Sequence, residues 1–196
     1  MQDQNTQADA VITALHSRVS VSELVAPAPS SAQRDIIFRA ALRAPDHGQL
    51  RPWRFLLVEG DDRISVGNIL VDVEGSENEV QRSKTAGRLL RAPLVLLIVA
   101  HIASHPKIPE IEQIMSVAAA VQNMLIAAHA LNVGAMWRSG MMTYEPLLAE
   151  KLGLTTDERL LGFLYLGTPK NEIQKNQNRA VQALDINNFF KVWQAP

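Results

Sequence analysis

The chain predicts an α+β fold, with one sheet of four or five strands and helices on both of its faces. Three observations carry this reading. Two near-continuous apolar runs, Ala92-Pro93-Leu94-Val95-Leu96-Leu97-Ile98-Val99-Ala100 and Leu160-Leu161-Gly162-Phe163-Leu164-Tyr165-Leu166, have the pattern of strands buried on both faces. Helical patterns outnumber strand patterns, in the order ααβααβαβαβ, so helices must cover the sheet from two sides. No Lys, Arg, Asp or Glu occurs from Gln113 to Trp137. A helix there belongs at the centre of the protein or in a subunit interface.

Each element has its own local reason. Residues 6 to 18 lack Gly and Pro and carry Ala10, Ile12, Ala14 and Leu15, which predicts a helix. Pro27 and Pro29 forbid regular structure after it. Ser30 and Gln33 have the spacing of a capping box, opening a helix with Ile36, Ile37, Ala40 and Ala41 on one face. Pro45 ends it, because the residue before a proline is pushed out of the α region. Residues 54 to 59 form a strand stopped by Gly60-Asp61. Asp61 or Asp62 caps a helix carrying Ile64, Ile69 and Leu70. Gly75 breaks it, and Ser76 with Glu79 caps a charged helix running to about Leu90. The region 61 to 90 is the most polar of the chain and reads as surface. After the first buried run, Pro106 and Pro109 lead into a long helix from about Glu110 to Leu131, which Gly134 caps. Residues 135 to 140 are a strand entering a polar loop. A short helix, Glu145 to Leu152, precedes the last buried strand, residues 159 to 167. A polar tail from Thr168 ends in Phe189, Phe190 and Trp193, aromatic residues that need a surface to bury against.

Composition narrows the function. At 196 residues the chain holds one domain, 1–196, with a C-terminal extension from about residue 168. A net charge of −1 gives no nucleic-acid footprint, and the absence of cysteine rules out disulfides and thiolate metal sites. The polar N-terminus lacks the pattern of a signal peptide, so a cytoplasmic protein is expected. The charge-free stretch reaches the length of a membrane span, roughly 20 residues. Gln113, Ser116, Gln122, Asn123, His129 and Asn132 interrupt it, so it reads as a buried helix, with no membrane partner.

Several motifs are missing: the glycine pattern of a dinucleotide fold, the phosphate-binding loop of nucleotide hydrolases, and a nucleophile elbow around Ser139. His101 and His105 are four apart, but Pro106 argues against a helical metal pair. His129 reads as a satisfied core histidine. What remains is three clusters: Arg18 and Ser20; Arg43, His47 and Arg51 in a stiff loop with Pro45, Gly48 and Pro52; and Trp137-Arg138-Ser139-Gly140. Guanidinium, hydroxyl and backbone N–H groups suit an anionic, hydrogen-bonding ligand such as a phosphorylated cofactor.

The frame Arg18-x-Ser20, Pro27-Ala28-Pro29, Arg43-Ala44-Pro45-Asp46-His47 with Pro52-Trp53, Trp137-Arg138-Ser139-Gly140, and Gly162-Phe163-Leu164-Tyr165-Leu166-Gly167-Thr168-Pro169 resembles the FMN-dependent nitroreductase family, in particular its short, YdjA-like branch. The resemblance covers about residues 11 to 169. It implies a three-layer α/β/α sandwich around a mixed, mostly antiparallel sheet, in an intertwined homodimer with two FMN sites at the subunit interface. It places Arg18, Val19 and Ser20 at the flavin phosphate and ribityl chain. Arg43 and His47 reach the flavin from the partner subunit, and Trp137, Arg138 and Ser139 lie beside the ring edge. It implies NADH or NADPH as donor and hydride transfer at flavin N5 in two half-reactions. Nitroaromatics, quinones or similar small molecules are the acceptors. No side chain need act as acid or base, since the flavin carries the electron chemistry. Two positions depart from the family: Ser22, where many members have a basic residue, and Arg51, where many have Gln. A flavin storage or sensor protein without turnover, and a flavin enzyme with another acceptor (a dehalogenase or enone reductase), are the competing readings.

Overall fold

The computed structural model describes residues 2–170 and 185–194. Six helices and five strands alternate in it: α1 (Gln2–Ser17), β1 (Leu24–Val25), α2 (Ser31–Ala41), β2 (Trp53–Glu59), α3 (Asp62–Glu74), α4 (Glu79–Ala86), β3 (Leu94–His101), α5 (Glu110–Ala130), β4 (Gly134–Arg138), α6 (Pro146–Lys151) and β5 (Glu158–Pro169). The strands make one sheet in the order β1-β5-β3-β2, with β4 also pairing β5. All pairings among the described residues are antiparallel.

Side-chain alternation divides the sheet into two faces. Leu94, Leu96, Ile98, Ala100, Leu164 and Leu166 face α2 and α5, where Ile37, Ala41, Val117, Ala120, Val121 and Met124 meet them. Val95, Leu97, Val99, Phe163 and Tyr165 face the opposite layer, with Leu70 of α3 and Leu148 of α6. This is the expected three-layer arrangement. One break in the alternation matters for the site. Val99 pairs with Leu160 and Ile98 with Gly162, so Leu161 is an extra residue in β5. The bulge shifts the side-chain phase, and Leu160 and Phe163 share a face although three residues apart.

Local expectations hold with some corrections. The capping box of α2 is formed in full, since Ser30 accepts from the Gln33 N–H and Gln33 accepts from the Ser30 N–H. The helix ends at Ala41, before Pro45 can act on it. Asp61 precedes α3 without a side-chain cap bond. The cap of α4 is Asn78, whose side chain accepts from the Gln81 N–H, and not Ser76. Gly134 does not cap α5: Asn132 takes the left-handed turn at φ 56°, and Gly134 opens β4. There a Cβ would lie 2.4 Å from Leu24, so Gly is required for close approach. β1, a strand that the sequence did not predict, lies just before Pro27 and pairs Leu24 and Val25 with Pro169 and Thr168.

The region 61–90 is less superficial than expected, because Leu70, Val71, Thr85 and Leu89 are buried. α5 is long and apolar enough to cross a membrane by length and composition. Here it is a core helix, with Val117, Ala120, Val121, Met124 and Ala128 fully buried. Its exposed side carries Ile111 and Met115, while α1 exposes Val11, Ile12 and Leu15 and α2 exposes Ile36. In the tail, Phe189, Phe190 and Trp193 are 66–80% exposed, so they find no cover among the described residues. The part of the tail from 171 to 184 lies outside the described residues.

Candidate active site at the end of the fourth strand

A cavity of about 600 Å³ opens where β4 ends. Trp137, Arg138, Ser139 and Gly140 line it, together with Phe163 and Tyr165 of β5 and Met141 to Thr143 of the following turn. Leu70 and Glu74 of α3, and Arg88 and Arg91 before β3, complete it. Three of the residues expected at the site are therefore brought together by one loop.

The β5 bulge positions that loop. The Trp137 indole N–H donates to the Leu161 carbonyl at 3.3 Å. Gly162 lies beneath, at φ 132°, and a Cβ there would come within 2.5 Å of the Arg138 carbonyl and 2.8 Å of the Trp137 Nε1. Only glycine allows both the backbone angle and the contact. Arg138 sits over the Tyr165 ring, 5.9 Å from its centroid, a cation–π distance. Burial pushes the Tyr165 hydroxyl above its ordinary pKa, against the pull of Arg138, Arg91 and Arg88. Burial also pushes the Glu74 carboxyl up. Hydrogen bonds from Gln81 and Thr85, with the charge of Arg88, outweigh this and hold Glu74 below the usual range. Glu74 is thus ionised and engaged, with Arg88 at 3.2 Å.

Arg18, Val19 and Ser20, the second part of the candidate site, lie beside β4. The Val21 N–H donates to the Ala135 carbonyl at 2.9 Å, which lays this segment against β4. Val19 is a core residue at 8% exposure, so only its backbone is open to a ligand; Ser20 is exposed. Arg18 is half-buried, and its Nη1 is fully buried with no hydrogen-bond partner. A buried guanidinium N–H without an acceptor is rare, because its desolvation is uncompensated. None of the ion pairs among the described residues involves Arg18. His129, 2.9 Å from Ser17 Oγ, has its pKa lowered by burial and then by the charge of Arg18. His129 is satisfied as expected, but it is half-buried and does not belong to the core. A donor of this kind suits an anionic acceptor such as a phosphate.

Arg43 and His47 are exposed and line neither part. Their loop is strained: Gly48, Gln49 and Arg51 have φ of 71°, 54° and 50°. Two non-glycine residues in the left-handed region persist only where surrounding bonds hold them. The Asp46 carboxylate accepts from the Arg51 N–H at 2.7 Å, and His47 Nδ1 lies 2.7 Å from Glu112 at the start of α5.

The residues that sequence reasoning missed are Gly162, Glu74, Arg88, Arg91, Tyr165 and Glu112. Gly162 left a trace, as a glycine inside an apolar strand marks a bulge or close approach. Tyr165 reads as one more core residue of its apolar strand, Glu112 as the charged first turn of a long apolar helix, and Glu74, Arg88 and Arg91 as solvated surface charge.

Residues 15–168 match the nitroreductase family. YdjA of Escherichia coli K12, by its name a candidate NAD(P)H nitroreductase, is 38% identical over 158 residues, which are 80% of this chain and 86% of YdjA. A candidate NAD(P)H nitroreductase of Haemophilus influenzae is 32% identical over 181 residues, 91% of this chain and 96% of its own. A nitroreductase-like family protein from Bacillus cereus shares the fold with a TM-score of 0.76 at 22% identity, covering 94% of this chain and 96% of that one. A candidate nitroreductase from Desulfovibrio desulfuricans, solved in complex with FMN, gives a TM-score of 0.71 at 22% identity, covering 95% and 98%. The chain belongs to the nitroreductase family.

Proposed function

We propose that this chain is an FMN-dependent NAD(P)H oxidoreductase that reduces nitroaromatic, quinone or similar acceptors, working in the cytoplasm as a homodimer with two flavin sites. The observation that carries this reading is the buried, unpartnered Nη1 of Arg18, in the motif frame of a family whose relatives are named for NAD(P)H-dependent nitroreduction. When bound, FMN supplies the electron chemistry, accepting hydride from NADH or NADPH and passing two electrons to the acceptor.

The protein's part is binding and electrostatics. Arg18 holds the phosphate by charge-assisted hydrogen bonds, Ser20 offers a hydroxyl to the ribityl chain, and Val19 contributes backbone alone. Trp137, held by its bond to Leu161, gives a rigid wall for the ring. Arg138 and Ser139 present a cation and a hydroxyl at the ring edge. A guanidinium there stabilises charge that is greater on reduced than on oxidised flavin. Arg43 and His47 serve the partner's flavin, in keeping with their exposure. The domain spans 1–196, with the tail from about 168 as an extension that covers the partner. The exposed Ile111, Met115, Ile36, Val11, Ile12 and Leu15 supply the apolar surface that a dimer would bury.

The test is to purify the protein, record its visible spectrum with and without added FMN, and add NADH and NADPH separately under anaerobic conditions. Loss of the flavin absorbance, restored by a nitroaromatic or quinone, is expected. A protein that binds no FMN overturns the reading. Bound FMN that neither donor reduces would mark a binding protein without turnover.

A further inference from the structure

The cavity at the end of β4 carries more positive charge than an uncharged ring needs. Arg88, Arg91 and Arg138 line it against a single carboxylate, Glu74. That carboxylate is already taken, accepting from Gln81 at 2.9 Å, Thr85 at 2.7 Å and Arg88 at 3.2 Å. Arg88 is further held by Met142 Sδ at 2.8 Å. Among the described residues Arg91 and Arg138 have no carboxylate partner. Arg138 belongs to the loop assigned to the flavin, whereas Arg88 and Arg91 come from the connection between α4 and β3. Most of the remaining lining is aromatic or thioether (Trp137, Phe163, Tyr165, Met141 and Met142), with Leu70, Gly140 and the hydroxyls of Ser139 and Thr143 beside it. Flat apolar walls with an unneutralised guanidinium at the edge fit one chemistry, an aromatic body bearing an anion.

We propose that this cavity selects aromatic electron acceptors that carry a carboxylate or sulfonate, with Arg91 binding the anion and Arg88, fixed by Glu74, supporting it. This rests on the flavin reading above. In the reaction concerned, the nitro group gains two electrons and two protons, loses one oxygen as water and becomes nitroso, while NAD(P)H is oxidised to NAD(P)⁺ and solvent supplies the second proton. The arginines take no part in the electron transfer; they set which molecule occupies the cavity.

The experiment compares para-nitrobenzenesulfonate with para-nitrobenzenesulfonamide, which differ in charge but little in shape. Turnover of each is measured with the FMN-loaded protein. Binding of each to the oxidised protein, without a donor, is measured by calorimetry. The expected result is a preference for the sulfonate of about tenfold in kcat/KM, expressed mainly in KM and narrowed by salt. Arg91→Gln should bring the ratio close to one, and Arg91→Lys should restore part of it. A wild-type ratio of one or below overturns the proposal. So does an Arg91→Gln variant that slows both acceptors equally and shifts the potential of the bound flavin, since that assigns the charge to the flavin. A protein that takes up no FMN fails the earlier reading instead. Calorimetry on it still decides this one: sulfonate binding lost in Arg91→Gln supports the proposal, and no binding overturns it.

Discussion

Replacing Arg18 by methionine should move stability and flavin affinity in opposite directions. Methionine keeps most of the apolar stem and removes the buried Nη1 that has no partner. Leaving such a donor unsatisfied costs about 1–3 kcal/mol. The flavin-free variant should therefore be at least as stable as the parent. A gain of about 1 kcal/mol would raise Tm by roughly 2–4 °C in a domain of this size. Affinity should fall at the same time. A hydrogen bond to a charged group contributes about 1.5–3 kcal/mol, which is roughly a ten- to hundredfold increase in the Kd for FMN. Thermal unfolding of apoprotein and titration of FMN by fluorescence quenching read the two effects separately. The variant should purify largely colourless and recover much of its reductase activity in excess FMN. Arg138→Ala should behave differently, keeping FMN but reducing it more slowly, because its interaction is strongest with the more negative reduced ring. A fall of several degrees in the Tm of Arg18→Met apoprotein, with FMN affinity unchanged, would refute the assignment. Arg18 would then be a structural residue and its orphaned N–H unexplained.

Three further outcomes are expected. Gly162→Ala should cost about 2–4 kcal/mol in urea unfolding and slow flavin reduction, because the new Cβ meets the Arg138 carbonyl and the Trp137 indole in a strained backbone; unchanged stability and rate would mean the bulge does not hold the loop. His129 has a pKa lowered from its ordinary 6.5 by burial and by Arg18, so the unfolded chain binds more protons below that value. Stability of the apoprotein should decline as pH falls from about 6.5 toward the lowered folded pKa, and then level off; a His129→Gln variant with the same acid profile in thermal scans would remove His129 from the account. Deleting residues after Asn188 removes Phe189, Phe190 and Trp193, all exposed on this chain, and should lower Tm or weaken dimerisation in sedimentation; no change in either would leave the aromatic tail without a docking surface.

The fold was legible in the sequence where one physical signal dominated. The apolar runs of β3 and β5 admit one reading because a strand buried on both faces has no polar alternative. The Ser30–Gln33 box fixed the start of α2 because both of its bonds are local. Failures cluster where tertiary context chose between near-equal local options. Asn78 won over Ser76 as a cap, and Asn132 over Gly134 as the turn residue, because α4 and β4 each had a neighbour to meet. β1 has only two residues and was hidden by the prolines after it. In the site, Trp137-Arg138-Ser139 was legible because the motif is contiguous. The wall facing the same cavity was not. Glu74, Arg88 and Arg91 look like any solvated helix face until Leu70 and Leu89 bury and turn the α3–β3 connection inward.

In the proposed dimer, the position of His47 would link the flavin site to the surface that the described residues leave uncovered. His47 bonds to Glu112 on α5, and Glu112 adjoins Ile111, which is exposed, with Met115 one turn further along. The strained loop is therefore fastened beside the exposed apolar residues at the start of the helix, and none of its residues lines the chain's own cavity. Neither Gln49 nor Arg51 lines the cavity of its own chain. In the proposed dimer the loop would be shaped in advance for a second copy, so that burying Ile111 and Met115 and delivering Arg43 and His47 to the partner's flavin would be one event. Flavin binding and subunit association would then be thermodynamically linked: FMN would add contacts that exist only in the dimer, and the dimer would supply donors that the monomer lacks. A single chain holding Arg18 and Trp137 in place would have half of a site, with weak flavin binding until the other half arrives.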